Sequence, residues 1–522
     1  MADGGALRAP STTDPEKANA PAGGRARPDS RACLMIDRRF LESSAWALPA
    51  LLFLVSFGFR LYFMNEGLFH ADEVILARAV EATAEKAHLM GGFNGRYGAV
   101  LLNLLLYLPW KAVSGEGAER IIPLTAILTG ALLVSTLYLL VLDLTGKKLP
   151  AVLASLFLNF NFLFLTTSTA GKENTAQLFF AVLGLHLLLA GAKRGSWPQK
   201  VAGAAAFAFS LSVHEAGIPL IPVAALFLIF IGLDRSRGWR PGAGDSAVLL
   251  LFCAIPFALY LWDVTLAQLT VTSTHTVGFA GFFSPILGSA LGDLYTISRL
   301  PLLVLAGVGA LALFRRPLLL IPLLLWVLLV LYYGNVTSYA PRYLLYIVIP
   351  LVILGGIGGD HLMGYLRSPA SRVVAAGVLL TLVGGLGIAD AYPLIHFRSE
   401  YSGPKRMAQY VGRVTEPDAV IIAMDEGVFI EYYAHRKVLT HPVNALDPNR
   451  RFVEEVLAIA ESGKAVYVIS TALTYDDERH FQRLIKENFF VMPAGEVLDE
   501  GYHRPELGFT KFPNQLFRIA PH

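Results

Sequence analysis

The stretch "FHADEVILARAV" (residues 69–80) decides how the rest of the chain is read. It follows an apolar run at 44–64 long enough to cross a bilayer, and it sets an adjacent acid pair, Asp72 and Glu73, at the mouth of that span. One reading is local: Asp72 caps a helix that starts near Glu73, and Glu73 favours the positive end of the helix dipole. The other is that the pair belongs to a polar site at the membrane interface. What else the chain brings to the same depth decides between them.

With 522 residues, 54% of them hydrophobic and 16% charged, and a mean hydropathy of +0.53, the composition is that of a polytopic membrane protein. A net charge of +3 is small, and Lys and Arg cluster in short segments between apolar runs, so charge marks topology here and points to no nucleic-acid partner. Two cysteines, Cys33 in a polar tail and Cys253 in an apolar run, form neither a disulfide framework nor a metal cluster. Residues 1–43, rich in Ala, Gly, Pro and Arg, are expected to be a disordered cytoplasmic tail.

A helix needs about 20 apolar residues to cross about 30 Å of hydrocarbon, and each crossing reverses the side. The first span, 44–64, runs outward. The piece "YGAVLLNLLLYLPWKAV" (97–113) is bounded by charge and carries a proline, which suits an interfacial or re-entrant helix. Spans follow at 120–144, 150–165 and 175–192. The run 201–233 would measure about 50 Å as one helix, too long for the bilayer, and is interrupted by "HE" at His214 and Glu215. Basic loops flank both of its ends, so it is expected to form two short crossings with the interruption at the outer turn. Spans at 247–262, 300–314, 318–332, 343–357 and 373–389 complete about eleven crossings, with a long outer loop at 263–298, the N-terminus inside and the C-terminus outside.

Beyond 390 the composition changes. "AVIIAMD" (419–425) and "KAVYVIS" (464–470) are short buried-strand patterns, and they alternate with amphipathic helical patterns at 450–462 and 476–487. Residues 391–522 are therefore expected to form a small soluble α/β domain outside the cytoplasm, and 44–390 the transmembrane domain.

In this topology the unusual ionisable residues share one side: Asp72, Glu73 and Arg96 in the first outer loop, Lys172 and Glu173 in the second, His214 and Glu215 in the third, and Arg342 near a later span. Singly, each has a plain explanation, as a cap, a solvated turn or a snorkelling side chain. Together they outline a polar cavity at the outer interface. A lipid-linked phosphosugar has its phosphate at that depth. An enzyme using it needs cations to neutralise the departing phosphate, for which Arg96 and Arg342 are candidates, and one carboxylate to take the acceptor's proton, for which Asp72 is the first choice. Single displacement with inversion requires one base, not a pair. No cofactor is called for, although Asp72, Glu173 and Glu215 have the oxygens to ligate a hard divalent cation.

These residues resemble those of the integral-membrane GT-C glycosyltransferases, a group that includes the dolichyl-phosphate-mannose protein mannosyltransferases and the aminoarabinose transferases of lipid A. "HADEVILARA", "NGRYGAVLLNLLLYLPWKAVSG" and "APRYLLYIVIPLVILGG" are similar to that group's Asp-Glu loop, juxtamembrane helix and Arg-Tyr-Leu segment. The resemblance implies the GT-C fold and a polyprenyl-phosphate sugar donor. It implies an acceptor protein, lipid or glycan and a bacterial plasma-membrane location. Asp72 matches the catalytic acid and Glu73 its neighbour; Arg96 matches the base that holds the lipid phosphate, and Glu173 stands where the group often has an Asp. His214 and Glu215 stand at a polar pair, with Lys172 beside the second loop. The rival reading is a transporter or flippase of a lipid-linked glycan. Against it, no matched halves are visible, and the charges lie at one interface, not at the midplane.

Overall fold

The computed structural model describes residues 30–90, 95–233, 243–268, 285–336, 341–424, 426–440, 448–474, 479–502 and 511–522. Met1–Leu48 forms one compact unit and Pro49–His522 another. In the first unit the chain is helical from Ser30, inside the stretch expected to be disordered; residues 1–29 of that stretch lie outside the described residues.

Helix α1 (Ser30–Tyr62) leads to α2 (Ala71–Lys86) and α3 (Tyr97–Ser114), and then to a series of apolar helices. These are α4 (Ile121–Thr145), α5 (Lys148–Asn159), α6 (Phe162–Ser168), α7 (Glu173–Arg194), α8 (Trp197–Val213), α9 (Leu220–Leu233), α10 (Ala243–Gln268), α11 (Pro285–Leu313), α12 (Pro317–Val336), α13 (Leu345–Met363) and α14 (Pro369–Glu400). Each of the eleven expected apolar runs is helical. Six stretches are long and apolar enough to cross a membrane among the described residues, or seven if the bent α5–α6 pair is one span, and three shorter apolar helices accompany them. Helix α8 falls in none of these groups, so the expected count of about eleven is not reached by length and composition.

The long loop expected at 263–298 is shorter than the sequence suggested: α10 runs on to Gln268 and α11 starts at Pro285, with 269–284 outside the described residues. Helix α11 is broken at Arg299, whose φ of 52° lies two residues before Pro301, and the Arg299 Nε donates to Asp390 Oδ2 on α14 at 2.7 Å. Helices α11 and α13 pack backbone to backbone, because a Cβ on Gly309 or Gly358 would collide with the carbonyl of Leu354 or Leu305. Helix α3 buries Gly98, Ala99, Val100, Asn103 and Tyr107 while exposing Leu101, Leu105 and Leu108 one turn apart, the two-sided pattern of a helix lying along an interface.

Helix α14 continues through the compositional break at 390 as far as Glu400 and is followed by α15 (Gly403–Val414). The remainder alternates short elements: β1 (Val420–Ile422), α16 (Gly427–Phe429), β2 (Lys437–Leu439), α17 (Pro448–Glu461), β3 (Val466–Ile469), α18 (Ser470–Leu473), α19 (His480–Asn488), β4 (Phe489–Pro493), β5 (Leu498–Tyr502), β6 (Lys511–Asn514) and β7 (Leu516–Pro521). The main sheet runs β2-β1-β3-β7-β4. Its first three strands are parallel and β7 is antiparallel to both neighbours. The two strands read from sequence are the central parallel pair β1 and β3, every residue of which is buried. Their apolar core is continuous with that of α2 and α3: Val74, Val80 and Val100 belong to the same cluster as Ile421, Val468 and Ile519.

Candidate active site

The turn before α2 is organised by His70. Its backbone is extended, and its Nδ1 accepts from the Asp72 N–H at 3.1 Å, while Glu73 Oε2 reaches back to accept from the Phe69 N–H at 2.8 Å. His70 thereby satisfies one of the N–H groups a helix start leaves unpaired, and Glu73, the third residue of the helix, ties back to the residue before the cap in a variant of the capping box. The cap expected of Asp72 is thus made by His70, and the Asp72 carboxylate is left for other work.

That carboxylate is 13% exposed and faces cations from three other segments. Arg342 Nη2 lies 3.7 Å from Asp72 Oδ2, and Arg96 Nη1 and Lys172 Nζ each lie 3.9 Å from it. Burial opposes ionisation of Asp72, but the charges of Lys172, Arg96 and Arg342 outweigh it and hold the carboxyl at about 2. His70 itself is pushed well below its usual value, by burial first and then by the Lys172 ammonium, so its ring is neutral and suited to accept from the backbone. Glu73 moves the other way. It is buried, its Oε1 has no hydrogen-bond partner among the described residues, and burial lifts its carboxyl to about 7 against the pull of Lys172.

Arg96, at the start of α3, is 3% exposed and joins the remaining acids. Its Nη1 donates to Glu173 Oε1 at 2.8 Å, and its Nε and Nη2 donate to the two oxygens of Glu215 at 2.9 and 2.7 Å. The second is a bidentate guanidinium–carboxylate fork, strong and directional. Glu215 opens the short turn at the α8–α9 break. The His214 ring beside it is fully buried, accepts from the Ala216 N–H at 3.0 Å, and is lowered to about 4 by burial and by Arg96.

All eight residues singled out from sequence therefore meet at one place, from five segments of the chain. Arg96 is held by Glu173 and Glu215, while Lys172 and Arg342 lie 3.9 and 3.7 Å from Asp72. Two participants were not singled out: His70, whose cue is its place two residues before Asp72 at a helix start, and Arg398. Arg398 is 2% exposed, lies beyond the boundary drawn at 390, and donates to the Thr166 carbonyl at 3.2 Å. Among the described residues no group of three His, Cys, Asp or Glu is placed to hold a metal ion. The donor chemistry agrees, since each of the three carboxylates named for a divalent cation already faces a guanidinium or ammonium, a setting that repels a further cation.

Residues 92–260 match the family described as dolichyl-phosphate-mannose-protein mannosyltransferase, and no curated protein matches the chain. Among solved structures, the chain is similar to ArnT from Cupriavidus metallidurans bound to undecaprenyl phosphate, with a TM-score of 0.58 and 12% identity over 91% of this chain and 98% of that one. The apo state of ArnT gives a TM-score of 0.54 at 13% identity, with the same coverage. Arabinofuranosyltransferase AftD from Mycobacteria gives a TM-score of 0.52 at 15% identity, over 91% of this chain and 40% of AftD. At such identities the likeness is one of fold, and the matched segment 92–260 contributes Arg96, Lys172, Glu173, His214 and Glu215 to the cluster. The chain is an integral-membrane protein with the fold of the GT-C glycosyltransferase superfamily.

Proposed function

We propose that the protein transfers a single sugar, a hexose or a pentose, from a polyprenyl-phosphate donor to an acceptor hydroxyl or amine. The reaction takes place on the extracytoplasmic face of a bacterial plasma membrane and inverts the anomeric centre. The observation that carries this reading is the Asp72 carboxylate, ionised and ringed by Arg96, Lys172 and Arg342 at 3.7–3.9 Å. The likeness to a protein solved with undecaprenyl phosphate supports the donor class.

In this mechanism the donor phosphate binds to Lys172 and Arg342. The acceptor oxygen or nitrogen attacks the anomeric carbon as the carbon–oxygen bond to phosphate breaks; the bonding pair leaves on phosphate and Asp72 takes the acceptor's proton. A carboxylate at about 2 is a weak base in the empty site. Binding the phosphate gives Lys172 and Arg342 a second anion to neutralise, so their hold on Asp72 relaxes and its basicity rises when the donor is present. Arg96 acts as a positioning residue, fixing Glu173 and Glu215 as the far wall of the site.

The test is turnover of a panel of radiolabelled polyprenyl-phosphate sugars by the purified protein in lipid, wild type against Asp72→Asn. Transfer from one donor that is lost in the variant, with donor binding retained, is expected. Undiminished transfer by Asp72→Asn would remove Asp72 as the base.

A further inference from the structure

A second polar cleft, of about 640 Å³, opens where α2 and the segment around Ala118–Arg120 face the C-terminal α/β part. Its volume lies within the ~300–1,000 Å³ range of small-ligand sites. The backbone there is irregular. Ile430–Ala434 is a turn of π-helix, and His435 follows it in the left-handed region at φ 53°. Both are uncommon for such residues and recur at functional sites. Consecutive tyrosines on this turn reach α2 and the turn before it: the Tyr432 hydroxyl donates to Glu81 Oε1 at 2.8 Å, and the Tyr433 hydroxyl accepts from the Leu68 N–H at 3.3 Å. The Ala118 N–H also donates to Glu81 Oε1, at 2.8 Å, so this carboxylate is fixed from two sides. Gly117 keeps the place open, because a Cβ there would lie 2.8 Å from Glu81 Oε1.

The lining sets three cations, Arg78, Arg120 and Lys405, against four carboxylates, Glu81, Glu116, Glu119 and Glu431, with Arg78 paired to Glu431 and Lys405 to Glu119, each at 2.8 Å. The cleft therefore has no surplus of positive charge to draw a phosphate or a uronate, in contrast to the surroundings of Asp72. What it offers is fixed carboxylate acceptors, phenolic hydroxyls and two aromatic rings. Those are the groups that recognise a neutral polyhydroxyl ligand, by accepting from its hydroxyls and covering its C–H faces.

From this cleft we infer that the protein grips a neutral oligosaccharide segment of its acceptor, remote from the reacting hydroxyl; the inference rests on the glycosyltransferase reading. Glu81 stands nine residues from Asp72 along α2, about 13 Å along the helix axis at ~1.5 Å per residue and half a turn around it, so the gripped segment reaches the point of transfer by passing around α2 over several sugar units. A longer acceptor then binds better than a single sugar.

The experiment uses the full-length protein in lipid nanodiscs. Neutral trisaccharides of mannose, galactose and arabinose, their uronic-acid counterparts and a Ser/Thr-rich peptide are titrated by calorimetry, with undecaprenyl phosphate titrated in parallel. At least one neutral trisaccharide is expected to bind, tenfold or more weakly to Tyr432→Ala. If that variant does not fold, Arg78→Ala on the exposed rim is expected to weaken binding several-fold. Preference for a uronate or the peptide, equal binding by the variants, or no neutral saccharide bound at all would overturn the inference. If undecaprenyl phosphate binds and no saccharide does, this inference alone falls. If neither binds, the donor reading falls with it.

Discussion

The two ends of the helical bundle handle charge differently. At the end away from Asp72, Lys147 pairs with Asp360 at 2.6 Å and Lys193 with Asp143 at 3.6 Å through exposed lysines, and Lys200 pairs with Asp245 at 2.7 Å under more cover. The Lys147 side chain is 65% exposed there. At the Asp72 end, Arg96 serves Glu173 and Glu215 while also facing Asp72, and Asp72 in turn faces Lys172 and Arg342. No side chain among these six is more than 16% exposed. Exposed pairs contribute only about 0–1 kcal/mol and mark where a helix leaves the membrane. Buried ones carry a desolvation cost of several kcal/mol per ion, so a shared, buried network at a membrane boundary persists where it performs chemistry.

That contrast breaks first at Asp72. Replacement by Asn is expected to lower sugar transfer by about 10²–10⁴-fold, the range of a lost general base, with undecaprenyl phosphate still bound; initial rates in lipid measure it. Next is Arg96→Leu, which leaves Glu173 and Glu215 buried without their partner and should cost about 3–5 kcal/mol of stability in thermal unfolding. The double variant Arg96→Leu with Glu215→Leu should recover part of that loss, because fewer uncompensated charges remain.

Third is pH. The Glu73 carboxyl sits at about 7 in the folded protein against an ordinary 4.5, so the folded state holds that proton more tightly than the unfolded chain. Its contribution is full below about pH 4.5 and is lost as pH rises through 7, a swing of about 3 kcal/mol. Asp72, held at about 2, runs opposite: its contribution is present above its ordinary 3.8 and is lost only as pH falls through 2. His70 and His214, both held below their ordinary 6.5, add stability as pH rises toward 6.5, so the Glu73 effect is read as a difference: wild type relative to Glu73→Gln should lose melting temperature from about pH 5 to 8. The smallest effect belongs to the other end, where Lys147→Ala should change stability by less than about 1 kcal/mol. A larger loss there would erase the distinction between the ends.

Much of the Asp72 cluster was legible because membrane composition makes charge rare: in a chain that is 16% charged, each acid or base beside an apolar run stands out. The helical runs were legible for the same reason, and so were β1 and β3, whose side chains are all buried and apolar. The edge strand β2, with the pattern "KVL", lacked that signal, and β7 buries only every third residue, Leu516 and Ile519, without the alternation that marks a strand. His70 was hidden because its role is a backbone cap, a matter of conformation more than residue type. Arg398 was hidden because α14 runs past the point where apolar composition ends, and a boundary drawn on composition cannot see a helix that crosses it.

Arg60, near the end of α1, donates to Asn159 Oδ1 at 2.6 Å and Ser168 Oγ at 2.8 Å, bracing both halves of the α5–α6 pair, which bends by 61°. Those partners follow it in the chain by 99 and 108 residues. During synthesis α1 is therefore threaded into the bilayer well before they exist, bearing an arginine that costs up to about 3 kcal/mol in hydrocarbon. The first helix is a provisional tenant of the membrane, and its residence is secured only when the bent pair arrives.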